Sequence, residues 1–459
     1  MGYNTIDPRF YAMIDAWGEW YRGNVAAFHT YTVYNGARKL RRERATLNMG
    51  KKVCEDWADL LMNERVKINV QGEREQAFVD SVFEDNNFWV KMNETQELKA
   101  AFGTAAVAPY ISGGSVSGGA AVKLNYITAR NIYPLTWDSG GITECAFADT
   151  RFINGKNYVY LQIHRAGIIE NLLFENPNNG GLKRAEDINS VAGFENVAAV
   201  VPVTGRTFVI DRLNITNNLD NLSGGVNPMG ISVFAGAVDI LKGADSVYDS
   251  YVNEFILGKK RVMVKAEATQ INNGNPVFDP DDLMFYQMPD SRSDEPFIKE
   301  IDMKIRADEH EKALQTNLNL LSVKCGFGEN HYSFERGAVK TATEVISQNS
   351  AMFRTLKKHE LILEDALVRL TRIILRYGGF GGETPVTVDF DDSVIEDTAA
   401  VKAQAAVEFQ TGLIDAVEYF VKVYNLTEEE AAAKVAKMEA RKPKTEEAAQ
   451  GIDWEKLEV

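Results

Sequence analysis

The sequence predicts an α+β protein in which long helices and small sheets alternate along the chain. Three observations support this class. Apolar residues recur at helical spacing in several long segments, β-forming residues cluster in an N-terminal region, and a β-rich insertion separates two further helices. The predicted order is a mixed N-terminal region, a helix, the β-rich insertion, a second helix, a glycine-bounded loop and one very long helix.

The N-terminal region, residues 1–228, opens with helices. Tyr11, Ile14 and Trp17 recur at helical spacing. The segment TLNMGKKVCEDWADLLMNERVKI predicts a second amphipathic helix, because its apolar residues share one face.

Strand-forming segments follow in the same region. The segment AAVAPYISGGSVSGGAAVKLNYI predicts two strands around a Gly/Ser turn, and NYVYLQIHRAGIIENLLF predicts a hairpin. The stretch NITNNLDNLSGGVNPMG is rich in Asn and Gly, and therefore marks the end of the region.

Two helices with apolar seams flank the β-rich insertion, which covers 258–305. The first helix is predicted over 231–257, where a near-heptad alternation is interrupted only by Asp245, and the second over 306–325. The insertion contains three strand-forming runs. The residues that define the two seams are Phe234, Val238, Leu241, Tyr248, Val252, Phe255, Leu314, Leu318, Leu321 and Cys325.

The longest predicted helix begins at a capping box formed by Thr341 and Glu344 and ends at Tyr377, before the segment GGFGG. The segment TPVTVDF predicts a strand after it. An Ala-rich helical tail with a second capping box, Thr427 to Glu430, completes the chain, and we expect its last residues to be frayed or disordered.

Composition narrows the classes of function. The chain has 459 residues, 45% of them hydrophobic and 25% charged, which is typical of a globular protein. Its 50 basic and 65 acidic residues give a net charge of -15, which argues against a tight hold on nucleic acid. The three cysteines, Cys54, Cys145 and Cys325, include no CxxC pair, so we expect no disulfide framework and no zinc site, as fits a reducing cytoplasm.

No stretch of the sequence predicts contact with a membrane. The N-terminal segment carries charges early and has no apolar run of the signal-peptide type. No segment approaches the roughly 18 consecutive apolar residues that cross a bilayer. We therefore expect no membrane partner.

The loop GFGENHYSFERG, residues 326–337, is a poor phosphate-binding loop. It has His331 where a GxGxxG motif needs its third glycine, and it follows a helix rather than a strand. The GK[ST] ending of a P-loop does not occur in the sequence. The stretch SGGSVSGG has no Ser with Gly at both -2 and +2, so it does not predict a nucleophile elbow either.

No catalytic residue, metal site or cofactor is predicted from the remaining polar residues. The pair Asp391 and Asp392 follows a strand and could bind a divalent ion, but a solvated turn is the favoured interpretation. The five histidines lack the spacing of metal ligands, and we expect ordinary surface or core roles for them. They are His29, His164, His310, His331 and His359.

The ordered set of segments resembles the portal proteins of tailed bacteriophages, especially the siphovirus-type portals of phages of Gram-positive bacteria. The segments that carry this resemblance are LNMGKKVCEDWADLLMNE, NPMGISVFAGAVDILKGADSVYDSYVNEF, IRADEHEKALQTNLNLLSVKCGFGENHYSFE, VKTATEVISQNSAMFRTLKKHELILEDAL and VTVDFDDSVIED. None of them is a catalytic signature, so the specificity lies in their order along most of the chain.

The resemblance implies a portal fold and a division of the chain into its domains. Residues 1–228 would be the N-terminal part of the wing, 229–257 a stem helix, 258–305 the clip, 306–325 a second stem helix, 326–340 the tunnel loop, 341–395 the long wing helix and its strand, and 396–459 the crown with a flexible C-terminal tail.

The resemblance also implies function and partners. Such portals form a twelve-subunit ring at one capsid vertex of the virion, assembled in the host bacterial cytoplasm. Double-stranded DNA passes through the channel during packaging and ejection. The expected partners are further copies of the chain, the terminase large subunit, the major capsid and scaffolding proteins, and a head-completion adaptor that joins head to tail.

The tunnel loop is the predicted DNA contact, and the two stem helices are predicted to pack through their apolar seams. For the aromatic residues of the loop, the sequence leaves open whether they contact DNA or pin the loop to adjacent helices. The candidate loop residues are Glu329, His331, Tyr332, Phe334, Glu335, Arg336 and Lys340. Two alternatives remain: another virion or tail assembly protein, and an enzyme with an unrecognised site.

Overall fold

The computed structural model describes residues 6–34, 37–63, 66–112, 121–177, 181–218, 227–259, 261–265, 285–288, 298–301, 303–333, 342–381, 383–390, 398–424, 426 and 428–439. The chain forms two compact units. The first comprises Met1–Arg336 and Ser350–Phe390, and the second comprises Gly337–Asn349 and Asp391–Val459.

The first unit mixes helices with small sheets, as the sequence predicts. Its helices are α1 (Pro8–Tyr21), α2 (Ala26–His29), α3 (Met49–Leu61), α4 (Glu73–Asp85), α5 (Phe88–Phe102), α6 (Val238–Leu257), α7 (Ala307–Lys324) and α8 (Ala342–Tyr377), whose first turns belong to the second unit. Its strands are β1 (Thr30–Tyr34), β2 (Lys39–Glu43), β3 (Lys67–Val70), β4 (Thr104–Ser112), β5 (Ala121–Thr128), β6 (Ile132–Asp138), β7 (Gly141–Ile153), β8 (Lys156–Arg165), β9 (Ile168–Glu175), β10 (Lys183–Arg184), β11 (Val200–Pro202), β12 (Val209–Arg212), β13 (Arg261–Lys265), β14 (Phe285–Met288), β15 (Ile298–Ile301) and β16 (Val386–Asp389).

The strands pair mostly with their neighbours in sequence. One sheet has the order β10-β9-β8-β7-β6, with β11 also paired to β9, and a second has the order β12-β4-β5. The predicted pairings of β4 with β5 and of β8 with β9 are confirmed, and both are antiparallel. Strand β13 of the insertion pairs antiparallel with β15 and parallel with β14.

Two pairs of strands lie outside these sheets. One connects distant parts of the chain, and the other is an isolated hairpin. Strand β16, which follows the longest helix, pairs antiparallel with β3 near the start of the chain. Strands β1 and β2 form a two-stranded hairpin, with Thr30 opposite Glu43 and Tyr34 opposite Lys39. The sequence analysis did not predict this hairpin or the pair β6 and β7.

The core of the first unit is built on the apolar faces of α3, α5 and α8. Trp57 on α3 and Phe88 on α5 are fully buried. On α8, Leu363, Leu367 and Leu370 repeat at helical spacing and are at most 1% exposed. The long helix therefore contributes a continuous stripe to this core.

A buried ion pair lies within the same core. Lys99 on α5 places its Nζ 3.0 Å from both carboxylate oxygens of Asp211 on β12, and Gln96 donates a further hydrogen bond to Asp211 at 2.9 Å. Burial lowers the pKa of Lys99, and the Asp211 carboxylate opposes that shift. Burial, together with the positive charge of Lys99, lowers the pKa of His359 to about 3, so this histidine stays neutral.

Helix α6 begins at Val238, later than the predicted start at 231. The preceding backbone is bonded to the end of α5 and the start of β4, because Val233 donates its amide hydrogen to the Ala100 carbonyl at 2.9 Å and Gly230 donates to Thr104 Oγ1 at 2.8 Å. A short 3₁₀ helix, Ala235–Ala237, then leads into α6. Phe234 is fully buried in this segment. It therefore packs before the helix rather than in the seam where the sequence placed it.

Helices α6 and α7 form an antiparallel pair. Ser250 Oγ lies 3.0 Å from His310 Nε2, and Glu254 receives hydrogen bonds from the Arg306 guanidinium at 2.9 and 3.0 Å. The Arg306 guanidinium holds the pKa of Glu254 at about 2. At the other end, a methyl group on Gly243 would lie 2.6 Å from Asn317 Oδ1, so glycine allows the helices to approach closely there.

Helix α6 is also anchored to the segment after β2. Asp245 accepts hydrogen bonds from the Leu47 amide at 2.8 Å and the Thr46 hydroxyl at 2.9 Å, and its Oδ2 lies 3.0 Å from His29 Nε2. Because the Val25 amide donates to His29 Nδ1 at 2.8 Å, the His29 proton is on Nε2 and donates to Asp245.

The second unit contains three helices after the first turns of α8, namely α9 (Thr398–Gln410), α10 (Ala416–Tyr424) and α11 (Glu428–Glu439). A capping box starts α10, because Glu418 donates its amide hydrogen to Asp415 Oδ1 at 2.7 Å and the Asp415 amide donates to Glu418 Oε2 at 3.0 Å. Lys422 and Glu408 form an ion pair between α10 and α9 at 2.6 Å.

Several predicted features lie outside the described residues. They are the turn after Ser112, the capping residues Thr341 and Thr427, the pair Asp391 and Asp392, most of the insertion between 266 and 297, and the tail from 440. Among the helices that the structure does describe, none combines the length and apolarity needed to span a bilayer.

The buried pair gives a first prediction. Asp211→Ala leaves the Lys99 ammonium buried without its carboxylate, so the free energy of unfolding should fall by about 3–5 kcal/mol. The double variant K99M/D211A should recover much of this loss. Urea denaturation followed by tryptophan fluorescence measures both values.

A matched control is available at the surface. Arg130 and Asp15 form an exposed ion pair at 2.9 Å, so Asp15→Ala should cost less than about 1 kcal/mol. An equally small effect of Asp211→Ala would contradict the assigned role of the buried pair.

Candidate functional site

The candidate site is the loop that follows α7, of which residues 326–333 are described. Glu329, His331 and Tyr332 therefore have defined positions. The other four candidates lie outside the described residues, namely Phe334, Glu335, Arg336 and Lys340.

The loop starts with a fixed helix terminus. Gly326 has φ +90, its amide donates to the Val323 carbonyl at 3.3 Å, and the Phe327 amide donates to the Ser322 carbonyl at 2.9 Å. This pattern is a Schellman motif, which requires a left-handed residue. A side chain at Gly326 would also lie 2.8 Å from Thr355 Cγ2. Gly326 thus ends α7 in one packed conformation.

An aromatic stack holds the first residues of the loop. The ring of Phe327 lies between Trp57, at a centroid distance of 4.8 Å, and His331, at 4.3 Å with the planes 6° apart. Trp57 Nε1 donates to the Cys325 carbonyl oxygen at 2.9 Å, and its ring meets His359 edge-on. Because α3, the end of α7 and α8 all contribute, the loop base is fixed from three sides.

A carboxylate on α3 binds the polar ends of the loop residues. The Tyr332 hydroxyl donates to Asp56 Oδ2 at 2.7 Å, His331 Nε2 lies 3.6 Å from the same oxygen, and Lys52 pairs with the other oxygen. Burial opposes the ionisation of Asp56, but the hydrogen bonds from His331, Lys52 and Tyr332 outweigh it and lower the pKa of Asp56. The same arrangement raises the pKa of Tyr332, chiefly through burial.

The loop also folds back on α7. Gln315 donates to the Tyr332 carbonyl oxygen at 3.0 Å, and Asn319 donates to Asn330 Oδ1 at 3.1 Å. Asn330 adopts φ +60, a left-handed conformation that asparagine tolerates better than most residues. These contacts turn the chain back alongside the helix that it has just left.

The structure thus packs Tyr332 against α3, while Glu329 and His331 are exposed and the His331 ring is stacked on Phe327. For Tyr332 this is the pinning arrangement that the sequence left open. Contact with DNA by the loop stays a prediction. The sequence analysis missed Asp56 and Trp57 as partners of the loop, because they lie more than 250 positions away and share no pattern with it.

The predicted packing residues of α6 and α7 fall into two groups. Leu241, Leu318 and Leu321 are at most 3% exposed, and Val238, Tyr248 and Leu314 are partly buried. Phe255 is 43% exposed, and other large apolar side chains on and next to the two helices are exposed as well. These are Ile256, Leu257, Met303, Ile305, Leu320 and Val323.

His29, His164 and His359 are buried. Burial lowers the pKa of His164 to about 4. Within the described part of the chain, no three His, Cys, Asp or Glu side chains are grouped so that they could hold a metal ion.

Comparison with known proteins identifies one family. Residues 3–447 match the model of the family described as "Phage portal protein, SPP1 Gp6-like". No curated protein sequence matches this chain significantly. The family match, which spans nearly the whole chain, is the finding on which the assignment rests.

Chains in three solved structures align with most of this chain. A chain in the neck of an empty GTA particle, computed with C6 symmetry, is 10% identical, with 92% of this chain and 95% of that chain covered and a TM-score of 0.49. A chain in the virion of a native gene transfer agent particle is 10% identical, with 92% of this chain and 96% of that chain covered and a TM-score of 0.47. A chain in the neck of a native GTA particle, computed with C12 symmetry, is 11% identical, with 82% of this chain and 89% of that chain covered and a TM-score of 0.42.

The ionised Asp56 carboxylate should stabilise the protein in a pH-dependent way. Its folded-state pKa is lowered, so its contribution is complete above its unfolded pKa of about 4 and is lost as the pH falls through the lower, folded value. Asp56→Asn should therefore reduce the free energy of unfolding by about 1–2 kcal/mol at pH 7. In urea denaturation from pH 7 to pH 3, the difference from the parent protein should shrink at the acid end.

Asp59→Asn, on the exposed side of the same helix, is the matched control and should have little effect at any pH. A difference for Asp56→Asn that stays constant down to pH 3 would show that the ionised form is not what holds the loop.

Proposed function

Since the chain belongs to the SPP1 Gp6-like family of phage portal proteins, we propose that it forms a twelve-subunit ring at one capsid vertex and that the genome passes through the central channel. The family is one of structural proteins, and the chain is accordingly a structural component of a phage particle rather than an enzyme. The match over residues 3–447 is the observation that carries the proposal.

The order of elements supports the proposed domains. The antiparallel pair α6 and α7 would be the stem, the insertion with β13, β14 and β15 the clip, and the α3, α5 and α8 core the wing. The three helices of the second unit would belong to the crown. In this arrangement the loop after α7 connects the stem to the long wing helix and would line the channel.

Ring formation is supported by the exposed apolar side chains of the stem. A two-helix hairpin has little interior of its own, and its outer face presents Leu320 and Val323, each 51% exposed. Burying such side chains against a neighbouring copy would be favourable, because apolar surface leaves water on association. We therefore assign this face of α7 to contacts between subunits.

The acidity of the chain suits a channel. Each phosphate that a protein neutralises strengthens its hold on DNA, and would slow the passage of the duplex. A net charge of -15 favours weak contact along most of the surface. Within the loop, Phe334, Arg336 and Lys340 would contact DNA, while Tyr332 and His331 hold the loop base on α3.

The wider assembly follows from the same proposal. The clip and the outer stem would dock the terminase large subunit during packaging and later the head-completion adaptor. The wing would face the major capsid and scaffolding proteins in the virion. Assembly would take place in the host bacterial cytoplasm.

The stem assignment predicts the outcome of adding charge to the exposed face of α7. L320D/V323D should leave the helix content by circular dichroism unchanged but should abolish rings, because carboxylates cannot be buried between subunits without partners. Analytical ultracentrifugation and negative-stain images measure the assembly.

Leu361→Asp is the control for this experiment. Leu361 is 66% exposed on α8, so the change adds one carboxylate at an exposed position on a different helix and should leave rings intact. Normal rings from L320D/V323D would exclude this face of α7 as a subunit contact.

The loop assignment predicts a packaging defect without an assembly defect. F334A/R336A/K340A should form rings of normal size but yield fewer DNA-filled heads, because contacts between the loop and DNA are lost. Lys324→Ala removes one exposed charge just before the loop and should package normally. Electron microscopy of purified heads counts the filled particles, and a normal count from the triple variant would refute the assignment.

A further inference from the structure

The hairpin of β1 and β2 differs from the rest of this acidic chain in its charge. Residues 38–44 contain five basic residues and one acidic residue. Lys39, Arg41 and Arg42 are exposed on β2. Within the described residues, no carboxylate lies within ion-pairing distance of these three side chains, so their charges are available to a ligand.

The alternation of β2 distributes these cations over both faces of the hairpin. Lys39 and Arg41 share one face, with Arg41 opposite Thr32, and Arg42 lies on the other face, opposite Tyr31. Like charges so close repel each other, which a nearby polyanion would relieve. The hairpin therefore presents positive charge in two directions.

Arg44, the next basic residue, contacts Phe28 instead of facing solvent. Its guanidinium donates to the Phe28 carbonyl at 2.9 Å and lies 4.1 Å above the centre of the Phe28 ring. Its amide donates to the His29 carbonyl at 2.7 Å. Arg44 thus closes the base of the hairpin and is not counted among the cations available to a ligand.

The base of the hairpin is fixed to α6 on both sides. His29 precedes β1, and Thr46 and Leu47 follow β2; all three donate hydrogen bonds to the buried Asp245 carboxylate. The Ala45 amide also donates to Asp249 Oδ1 at 2.9 Å. A two-stranded hairpin has little stability alone, so this anchoring is what holds the cations in place.

The chemistry of the hairpin fits a phosphate backbone better than an acidic protein surface. Protein interfaces usually have an apolar centre. The face of Lys39 and Arg41 has Thr32 and Tyr34 across the strand, with Glu43 at its end, while Val33 and Leu40 lie beside Arg42 on the other face. Arginine, lysine and hydroxyl side chains are the groups that contact DNA phosphates. A two-stranded ribbon also fits the major groove, where phosphates lie on either side of it.

We propose that the hairpin of β1 and β2 binds the backbone of double-stranded DNA without sequence preference, through Lys39, Arg41 and Arg42. This site is separate from the tunnel loop and does not depend on a closed ring. The hairpin would thus be a local DNA-binding site on a protein whose net charge is negative.

Fluorescence anisotropy with a labelled 30-base-pair duplex tests the proposal on the full chain. Binding should be measurable at 50 mM KCl and should weaken steeply by 200 mM KCl. R41A/R42A should reduce the affinity at 50 mM about tenfold and the slope of log K against log salt by about two. A duplex of unrelated sequence should bind equally well.

Two further variants make the result specific. K183A/R184A removes two adjacent exposed cations from β10 and should bind DNA like the parent protein. R41K/R42K keeps the charge and should retain the salt slope, which shows that the hairpin is folded and that charge is the cause.

Three outcomes would overturn the proposal. They are absence of binding by the parent protein at 50 mM KCl, unchanged binding by R41A/R42A, and a loss of self-association by that variant in ultracentrifugation with DNA binding intact. The last result would make the hairpin a contact between copies. None of these outcomes affects the channel proposal, which the loop and stem variants test separately.

Discussion

The position of Trp57 is the constraint on which the candidate site depends. Its indole bonds the carbonyl of Cys325, stacks on Phe327 and meets His359 edge-on. One side chain therefore fixes the end of α7 against α3 and α8. The last carbonyls of a helix need partners, and here a partner comes from another helix, so the direction in which the chain leaves α7 is set by the core.

The spacing of apolar residues along the sequence predicted many of the helices and strands. Helices α1, α3, α7 and α8 follow repeats that are visible in the sequence, because each buries one face against the core. Strand β4 was visible instead as a continuous apolar run, and its first six residues are all buried. The start of α6 did not follow this pattern, because the amides of Gly230 and Val233 bond Thr104 and Ala100 instead of carbonyls within a helix, although the residues continue the apolar spacing. The contacts of Asp56 and Trp57 with the loop were likewise hidden, because no local rule relates residues so distant in sequence.

Charge is organised differently in the interior and on the surface. Inside, Lys99 and Asp211 neutralise each other between α5 and β12, and Asp245 is surrounded by donors. The chain as a whole is acidic, and the hairpin of β1 and β2 carries a local group of exposed cations. Buried charges thus fix the relative positions of elements, while Lys39, Arg41 and Arg42 are exposed on a hairpin whose base is tied to α6 through Asp245.

The ion pair between Glu254 and Arg306 has a consequence for how the insertion could evolve. It joins the last turn of α6 to the residue before α7, and a side chain at Gly258 would lie 3.5 Å from Ile305. The chain therefore leaves and re-enters the helix pair at nearly one point. A segment with adjacent ends can be exchanged for another of different length without disturbing its host. The insertion can thus diversify as a replaceable module, while the helices that carry it stay constant.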